Sequence, residues 1–482
     1  MQYNTSMAHA AGGGVPFSEQ PWYKKLFLFW TYDGSHAVAD WLYGWAIEPL
    51  LVMPLAFLAL VIVAAGIDPV AVSGTLAMVI AISPVWLPIY LGQFFWVTWM
   101  HYIRFMFWFK QEHVLLELQL PPEVEKSPLA MELFLTALNN SGGEGTFLAR
   151  LWRGSFRAVF TLEIASNEGQ VKFYLHCRKG WKNVLEARLY GQYPEARITE
   201  VEDYVAKIPF SLERYGLWGS EFKKTADADA LPIKTYIDYG LDKSPDKPES
   251  QVDPLTNLVE FLGQVGKGEY IWMQIIMRAR KSEEWYGFYY PKKKRDDWAM
   301  PAREKIKNIT RQAIERAQSF VEEDTEKKKV GARGSTLLTG GEKLQVEAIE
   351  RNLTKTVFEC GIRVMYLAET DKFNGINIGN VVKFFDPYRQ ENYNAIMPER
   401  GSNWFDYPWQ DFRDIRANRV RNSLFFRYKQ RAYFYVPYDQ VPVFMTTEEL
   451  ATIWHFPSSV VQTPALDRVP SRRSDAPINL PI

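Results

Sequence analysis

Residues 49–67 read PLLVMPLAFLALVIVAAGI, and after Asp68 residues 69–103 read PVAVSGTLAMVIAISPVWLPIYLGQFFWVTWMHYI. Neither run holds Asp, Glu, Lys or Arg; Glu48, Asp68 and Arg104 bracket them. A bilayer core of about 30 Å takes about 20 apolar residues as helix. The first run meets that length and the second exceeds it. The sequence therefore predicts two spans, Leu50 to Ile67 and Val70 to Leu91, with Leu58 and Trp86 as anchor positions. Pro84 and Pro88 predict a bend, since each lacks the helix donor and crowds the preceding turn. Phe94 to Phe109 then emerges along the interface, with Trp96 and Trp99 among the rings that favour headgroup level. Gly66-Ile67-Asp68-Pro69 is the expected hairpin turn. The opposing reading, a buried helical pair, meets the rarity of such uncharged runs in soluble domains.

Flanking charge sets the orientation. Lys24 and Lys25 precede the apolar runs, Arg104 and Lys110 follow them, and Asp68 alone lies between. Positive residues stay inside, so both termini and the rest of the chain are expected on the cytoplasmic side of a bacterial cytoplasmic membrane. The apolar run starts too late and is too long for a cleaved signal peptide.

A chain of 482 residues corresponds to about three domains. Eight of its 17 Trp precede residue 110, which concentrates them near the membrane. A net charge of zero excludes a global field for nucleic acid. Cys177 and Cys360 stand without a CxxC pair, which fits a reducing compartment and argues against a disulfide scaffold or zinc ribbon.

The predicted fold class is α+β. Residues 1–45 form a disordered start and an interfacial aromatic segment, and 46–110 the transmembrane hairpin with its interfacial helix. In 111–207, strand Val114–Leu120, a helix opened by Ser127 and Pro128, strands Ala158–Ala165 and Val171–Cys177 about Asn167-Glu168-Gly169, helix Gly180–Tyr193 and strand Ala196–Glu202 follow in turn. That β-α-β-β-α-β order is ferredoxin-like. Residues 208–457 form a second α/β domain with a long helical insertion, including expected strands at Ile233–Tyr239 and Ala432–Val436. Residues 458–482 are a Pro-rich extended tail.

Chemical motifs are sparse. Gly331-Ala332-Arg333-Gly334-Ser335-Thr336 lacks the lysine of a phosphate loop, and Gly142-Gly143-Glu144-Gly145 sets an acid where phosphate would be repelled. His176 and Cys177 are neighbours on a strand, so they point to opposite faces and form no nucleophile–base pair. His455 ends a helix and reads as a packing or capping residue. No catalytic, cofactor or metal residue is assigned. Lys292, Lys293, Lys294 and Arg295 lie beside Trp285, Tyr286 and Phe288, a candidate contact for anionic lipid or nucleic acid. Asp296 and Asp297 halve that field, and a solvated loop is the plainer reading. Arg413, Arg416, Arg419, Arg421, Arg427 and Arg431, interrupted by Asp411 and Asp414, either pair internally or hold a polyanion.

Thr446-Thr447-Glu448-Glu449-Leu450-Ala451-Thr452-Ile453-Trp454-His455-Phe456-Pro457 resembles a segment of conjugation-type ATPases of the type IV secretion and HerA-like translocase group of candidate-phyla bacteria. So does Thr463 to Arg473, and so does Leu118 to Tyr204 through Gln192-Tyr193-Pro194 and Glu200-Val201-Glu202-Asp203-Tyr204. In that family the C-terminal stretch leads into a RecA-like motor. No Walker lysine, Walker B acid or arginine finger carries over. The resemblance thus implies a membrane-anchored, non-catalytic subunit of a type IV secretion or DNA-transfer-like apparatus, a homo-oligomer that docks a separate RecA-like ATPase. Arg468, Arg472 and Arg473 are the expected contacts with carboxylates of that ATPase. Two other readings stand beside it: an enzyme of unknown chemistry at the membrane surface, and a membrane adaptor for lipid or nucleic acid.

Overall fold

Pro49–Ile67 forms helix α1 and Pro69–Lys110 forms helix α2 in a computed structural model. It describes residues 49–119, 126–144, 146–225, 229–243, 253–281, 283–285, 292–294, 298–322, 338–391, 393–401, 409, 411–435 and 440–457. The expectations for residues 1–45, for Gly331–Thr336 and for the tail 458–482 lie outside the described residues. The chain divides into two compact units, 1–109 with 146–155 and 403–423, and 110–145 with 156–402 and 424–482.

In the first unit, α2 runs unbroken through Pro84 and Pro88 to Lys110, where the sequence places a break after Leu91. Each proline removes one ladder bond and leaves the rest of the helix intact. Where a hairpin turn is expected at Gly66–Pro69, only Asp68 interrupts the two helices, and i→i−4 bonds continue across it. Asp68 N–H donates to Ala64 O and Asp68 O accepts from Val72 N–H. Asp68 Oδ1 accepts from Val70 N and Ala71 N, at 3.1 and 3.0 Å, and so caps α2.

The second unit begins with β1 (His113–Gln119) and α3 (Leu129–Ala137). Between α3 and the next strand lies the short helix α4 (Phe147–Leu151), which belongs to the first unit. Then come β2 (Val159–Asn167), β3 (Gln170–Arg178), α5 (Lys182–Gln192), β4 (Arg197–Val201) and β5 (Tyr215–Lys224). Next are α6 (Pro254–Gly263), β6 (Glu269–Ala279), a small hairpin of β7 (Glu283–Trp285) and β8 (Lys292–Lys294), α7 (Ala299–Glu322) and α8 (Gly340–Thr354). The chain closes with β9 (Val357–Glu369), α9 (Gly375–Val382), β10 (Ile396–Gly401), α10 (Ile415–Gln430), β11 (Val443–Thr446) and α11 (Thr447–Ile453).

One antiparallel sheet runs β10-β5-β9-β6-β2-β3-β1-β4, with β11 also on β9. The order β2-β3-β1-β4 in the first half recurs as β6-β9-β5-β10 in the second. The halves meet where β2 pairs β6, from Val159 opposite Arg278 to Asn167 opposite Tyr270. One sheet therefore runs through both segments that the sequence reading separates at 207. The insertion expected in the second half is the β7–β8 hairpin with α7 and α8.

Strand alternation sorts two cores. On one face Phe160, Leu162 and Ile164 of β2 join Phe134 of α3, Leu189 of α5, Leu258 of α6, Val381 of α9 and Leu450 of α11. On the other, Tyr174, Trp272 and Leu367 meet Tyr204 and the second half of α10 through Phe425 and Tyr428.

Among the described residues, two expected strands do not form. Around Ile233–Tyr239 the chain turns, because Asp238 Oδ2 accepts from Thr235 N at 2.9 Å and Arg351 grips the same carboxylate. At Ala432, the turn set by Arg431 (φ 52°) replaces the strand.

Gly361 lies on β9 beneath Tyr433. A Cβ there would stand 2.4 to 2.5 Å from the buried ring. Gly361→Ala is expected to lower stability by about 1–3 kcal/mol through overpacking, measured by urea unfolding of the detergent-solubilised chain.

Candidate functional site

The polar residues of the second sheet face fall in one register. Thr199, Glu117, Tyr174, Glu163, Gln274, Arg363 and Glu221 are successive cross-strand partners from β4 to β5. Glu163, Gln274 and Arg363 are fully buried. Burial of a carboxylate requires ionic and hydrogen-bonded partners, and Glu163 has both. Arg431 Nε donates to its Oε1 at 2.8 Å, Gln274 Nε2 donates to the same oxygen at 2.9 Å, and Tyr204 OH donates to Oε2 at 2.9 Å. With the Tyr204 proton so used, Tyr428 OH is the donor in its 2.8 Å bond to Tyr204. Arg431 also holds Asp203 at 2.8 Å, and Arg363 holds Glu221 at 3.0 Å. A neighbouring cluster sets Arg157 and Arg278 on the buried Glu359.

On the opposite face the motif Thr446–Pro457 is buried throughout. Thr446 and Glu449 form a capping box at the start of α11. Glu449 Oε1 also accepts from Ile233 N at 3.1 Å and from Lys224 Nζ at 2.8 Å. Glu448 accepts from Thr235 Oγ1 at 2.6 Å and pairs with Arg351 Nε at 3.1 Å. Burial raises the Glu448 carboxyl above its usual range, against the pull of Thr235, Arg351 and Lys355. Thr452 Oγ1 accepts from Tyr236 N at 2.9 Å. His455 sets Nε2 3.1 Å from Asp253 Oδ2 and Nδ1 2.8 Å from Ala451 O, which is the packing role expected for it. This motif ties α6, α8, β5 and the turn at 233–238 together; it presents no group to a ligand.

The thiols and imidazoles are equally enclosed. Burial pushes Cys177 up to about 12 and raises Cys360 well above a free thiol, so neither is a nucleophile at neutral pH. His176 lies on the face opposite Cys177, stacked on His113 with ring centroids 5.2 Å apart. Burial, then Arg178, brings His113 down to about 4; burial, then Arg431 and His113, hold His176 well below 6.5. In the unfolded chain both titrate near 6.5. Between roughly pH 6.5 and 4 the unfolded state thus binds protons that the folded state refuses, and stability falls as pH falls. Tm should drop from pH 7.5 to pH 5, and His113→Leu/His176→Leu should flatten that slope. An unchanged slope in the double variant would remove the pair from the acid response.

Sequence-chosen site residues scatter. Lys292, Lys293 and Lys294 stand in backbone register opposite Trp285, Glu284 and Glu283 across the hairpin. Arg295, Arg468, Arg472 and Arg473 lie outside the described residues. The arginine stretch splits: Arg431 and Arg427 turn to Glu163 and Glu221, and Arg413 is exposed over the Phe412 ring at 5.1 Å. Leu58 (55%) and Trp86 (43%) are exposed on their helices. Trp96 is half-buried on α2. Trp99, expected at headgroup level, donates through Nε1 to Leu151 O at 3.1 Å.

The sequence reading missed Glu163, whose Arg431 partner is 268 positions away, and missed α4. The signal for α4 is local: Thr146 as N-cap before Phe147-Leu148-Ala149-Arg150-Leu151-Trp152-Arg153-Gly154. Among the described residues, no three His, Cys, Asp or Glu side chains gather as a metal site. The groups that meet in this sheet are buried and internally paired, which equips them for stability rather than for substrate chemistry. The exposed special surface is the apolar helix and its surroundings. Compared with known families, residues 120–469 match the one described as Domain of unknown function (DUF8128). No curated protein matches the chain.

Proposed function

The chain belongs to the DUF8128 family, and from that premise and the geometry above we propose that it is a membrane-anchored, non-catalytic assembly subunit. The observation that carries this reading is the union, in one chain, of α2, long and apolar enough to cross a membrane, with a sheet whose polar clusters serve internal partners. The repeated strand order supports reading each half as ferredoxin-like. That fold hosts many functions and decides none, so the site must carry the argument.

In this reading the sheet lies in the cytoplasm, because Arg104 and Lys110 follow the apolar run and only Asp68 precedes it. In the bilayer α1 returns as the second arm of a hairpin. Pro69 lacks an N–H, so the helical ladder is weakest at Asp68, and folding back there unwinds the last turn at Gly66. A Cys at Asp68 should label from outside in intact cells, and a tag ahead of Pro49 should stay protected. A tag digested from outside would leave α1 as no second crossing.

The partner in this reading is a separate RecA-like ATPase of a type IV secretion-like apparatus, with the subunit present as a homo-oligomer and Arg468, Arg472 and Arg473 as the docking contacts. Support for that extension is the resemblance at Thr446–Pro457 and Thr463–Arg473. Extraction in mild detergent should bring down such an ATPase with the chain, and truncation after Pro457 should weaken its capture. Phosphoryl transfer needs a phosphate cradle, a metal site and charge stabilisation together. ATP turnover that stays with the rigorously purified chain would overturn the non-catalytic reading.

A further inference from the structure

We propose that Thr146–Gly154 is a collar on α2 that lies in the headgroup layer of the bilayer and takes anionic phospholipid phosphate on Arg153. The proposal rests on the membrane reading of α2.

The collar is built onto that helix. Thr146 Oγ1 accepts from Ala149 N at 3.2 Å and starts α4. Leu151 is buried, its carbonyl takes the Trp99 indole, and the Trp152 ring lies 5.5 Å from the Trp99 ring. Gly154 (φ 66°) then approaches so closely that a Cβ would stand 2.4 Å from Ile103 O. Ser155 N–H closes the loop on Ala149 O. Only a backbone without a side chain fits that crossing.

The other face of the collar is exposed among the described residues. Leu148 is 64% and Trp152 69% exposed, and Phe147 is exposed beside them. Through Trp99, whose ring stands 5.5 Å from that of Trp152 and 6.2 Å from those of Phe95 and Tyr102, they continue the exposed rings of α2. An apolar patch of this kind marks an interaction surface, and its continuity with a bilayer-length helix selects lipid as the occupant.

Depth follows from helix length. From Asp68 to Arg104 the helix rises about 54 Å, against about 40–45 Å for core plus headgroups. Tilt absorbs the excess. That sets Asp68 in one headgroup layer and Trp99 to Arg104, with the collar, in the other. Trp at this level is at home. The collar carries exposed Arg153, and residues 146–154 include no acid, so its charge complements a phosphate.

The test uses the full chain in lipid bilayers, with nitroxide labels on Leu148→Cys, Leu87→Cys and Glu213→Cys; Cys177 and Cys360 are buried and stay unlabelled. Collision with oxygen and with a water-soluble nickel chelate reads depth. The Leu148 label should lie between the Leu87 label, in the core, and the Glu213 label, in water. It should lie deeper in phosphatidylcholine–phosphatidylglycerol than in phosphatidylcholine alone, and Arg153→Gln should abolish that shift. If Leu87 is in the core while Leu148 is as nickel-accessible as Glu213, the collar inference falls and the anchor reading stands. If Leu87 is in water, both fall. A Leu148 label shielded from both probes, and freed when protein is diluted in the bilayer, would mean that a second copy covers the patch and would overturn lipid. Equal depth in the two lipid mixtures would overturn the phosphate contact.

Discussion

Arg431→Met is expected to lower stability by about 3–5 kcal/mol, the loss that follows when one member of a buried ion pair is removed. The native guanidinium is used on all sides. Nε and one terminal nitrogen hold Glu163 at 2.8 and 3.2 Å, and the terminal nitrogens hold Asp203 at 2.8 and 3.1 Å. Asp203 keeps access to water, with 28% of its side chain exposed, and can be hydrated after the loss. Glu163 has none and would keep only Tyr204 OH and Gln274 Nε2 against a full negative charge. The methionine fills the volume and leaves that charge stranded. Glu163→Leu/Arg431→Met removes both charges, so its loss should be clearly smaller than that of Arg431→Met alone. Denaturant unfolding of the detergent-solubilised chain measures both. Equal losses in the single and double variants would show that Arg431 acts through the turn it makes at φ 52° rather than through Glu163.

The same residue shows where sequence reading stops. Local chemistry was legible. Ser127 and Pro128 announced α3, and the same kind of local signature, Asp253 before Pro254, opens α6 with a cap bond from Leu255 N to Asp253 Oδ1 of 2.9 Å. Asn167-Glu168-Gly169 announced the turn between β2 and β3, and Glu168 and Gly169 take positive φ there. The pairing of β2 with β6 was not legible, because nothing local distinguishes an edge strand from one that meets its counterpart a hundred residues on. Glu163 looked like a polar interruption in an apolar strand until Gln274, Arg431 and Tyr204 arrived from three distant segments. Trp99 gains a partner that sequence reading did not name: α4 supplies a carbonyl to its indole. At Thr446–Pro457 the helix ending near His455 was legible, and the partners of its polar groups were not. Its acids and hydroxyls are spent on Lys224, Arg351, Ile233 and Tyr236.

Glu449 is the second position where one substitution should unmake the fold. Lys224 has three ammonium protons and three acceptors: Glu449 Oε1 at 2.8 Å, Asp229 O at 2.7 Å and Phe444 O at 2.9 Å. Neither charged side chain has any exposure. Glu449→Ala leaves the ammonium buried with two carbonyls, at a cost of about 3–5 kcal/mol. It also removes the carboxylate that accepts from Thr446 N at 2.9 Å, a cap worth about 1 kcal/mol, and the acceptor of Ile233 N. Glu449→Gln separates these terms, since its carbonyl oxygen can still accept one of those bonds while the charge is gone. Lys224→Met/Glu449→Gln then deletes the stranded charge as well. The expected order of stability is wild type, the double variant, Glu449→Gln, and Glu449→Ala last. Should Glu449→Gln prove as stable as wild type, the pair contributes no net charge energy, and α11 is held by its cap and its apolar face alone.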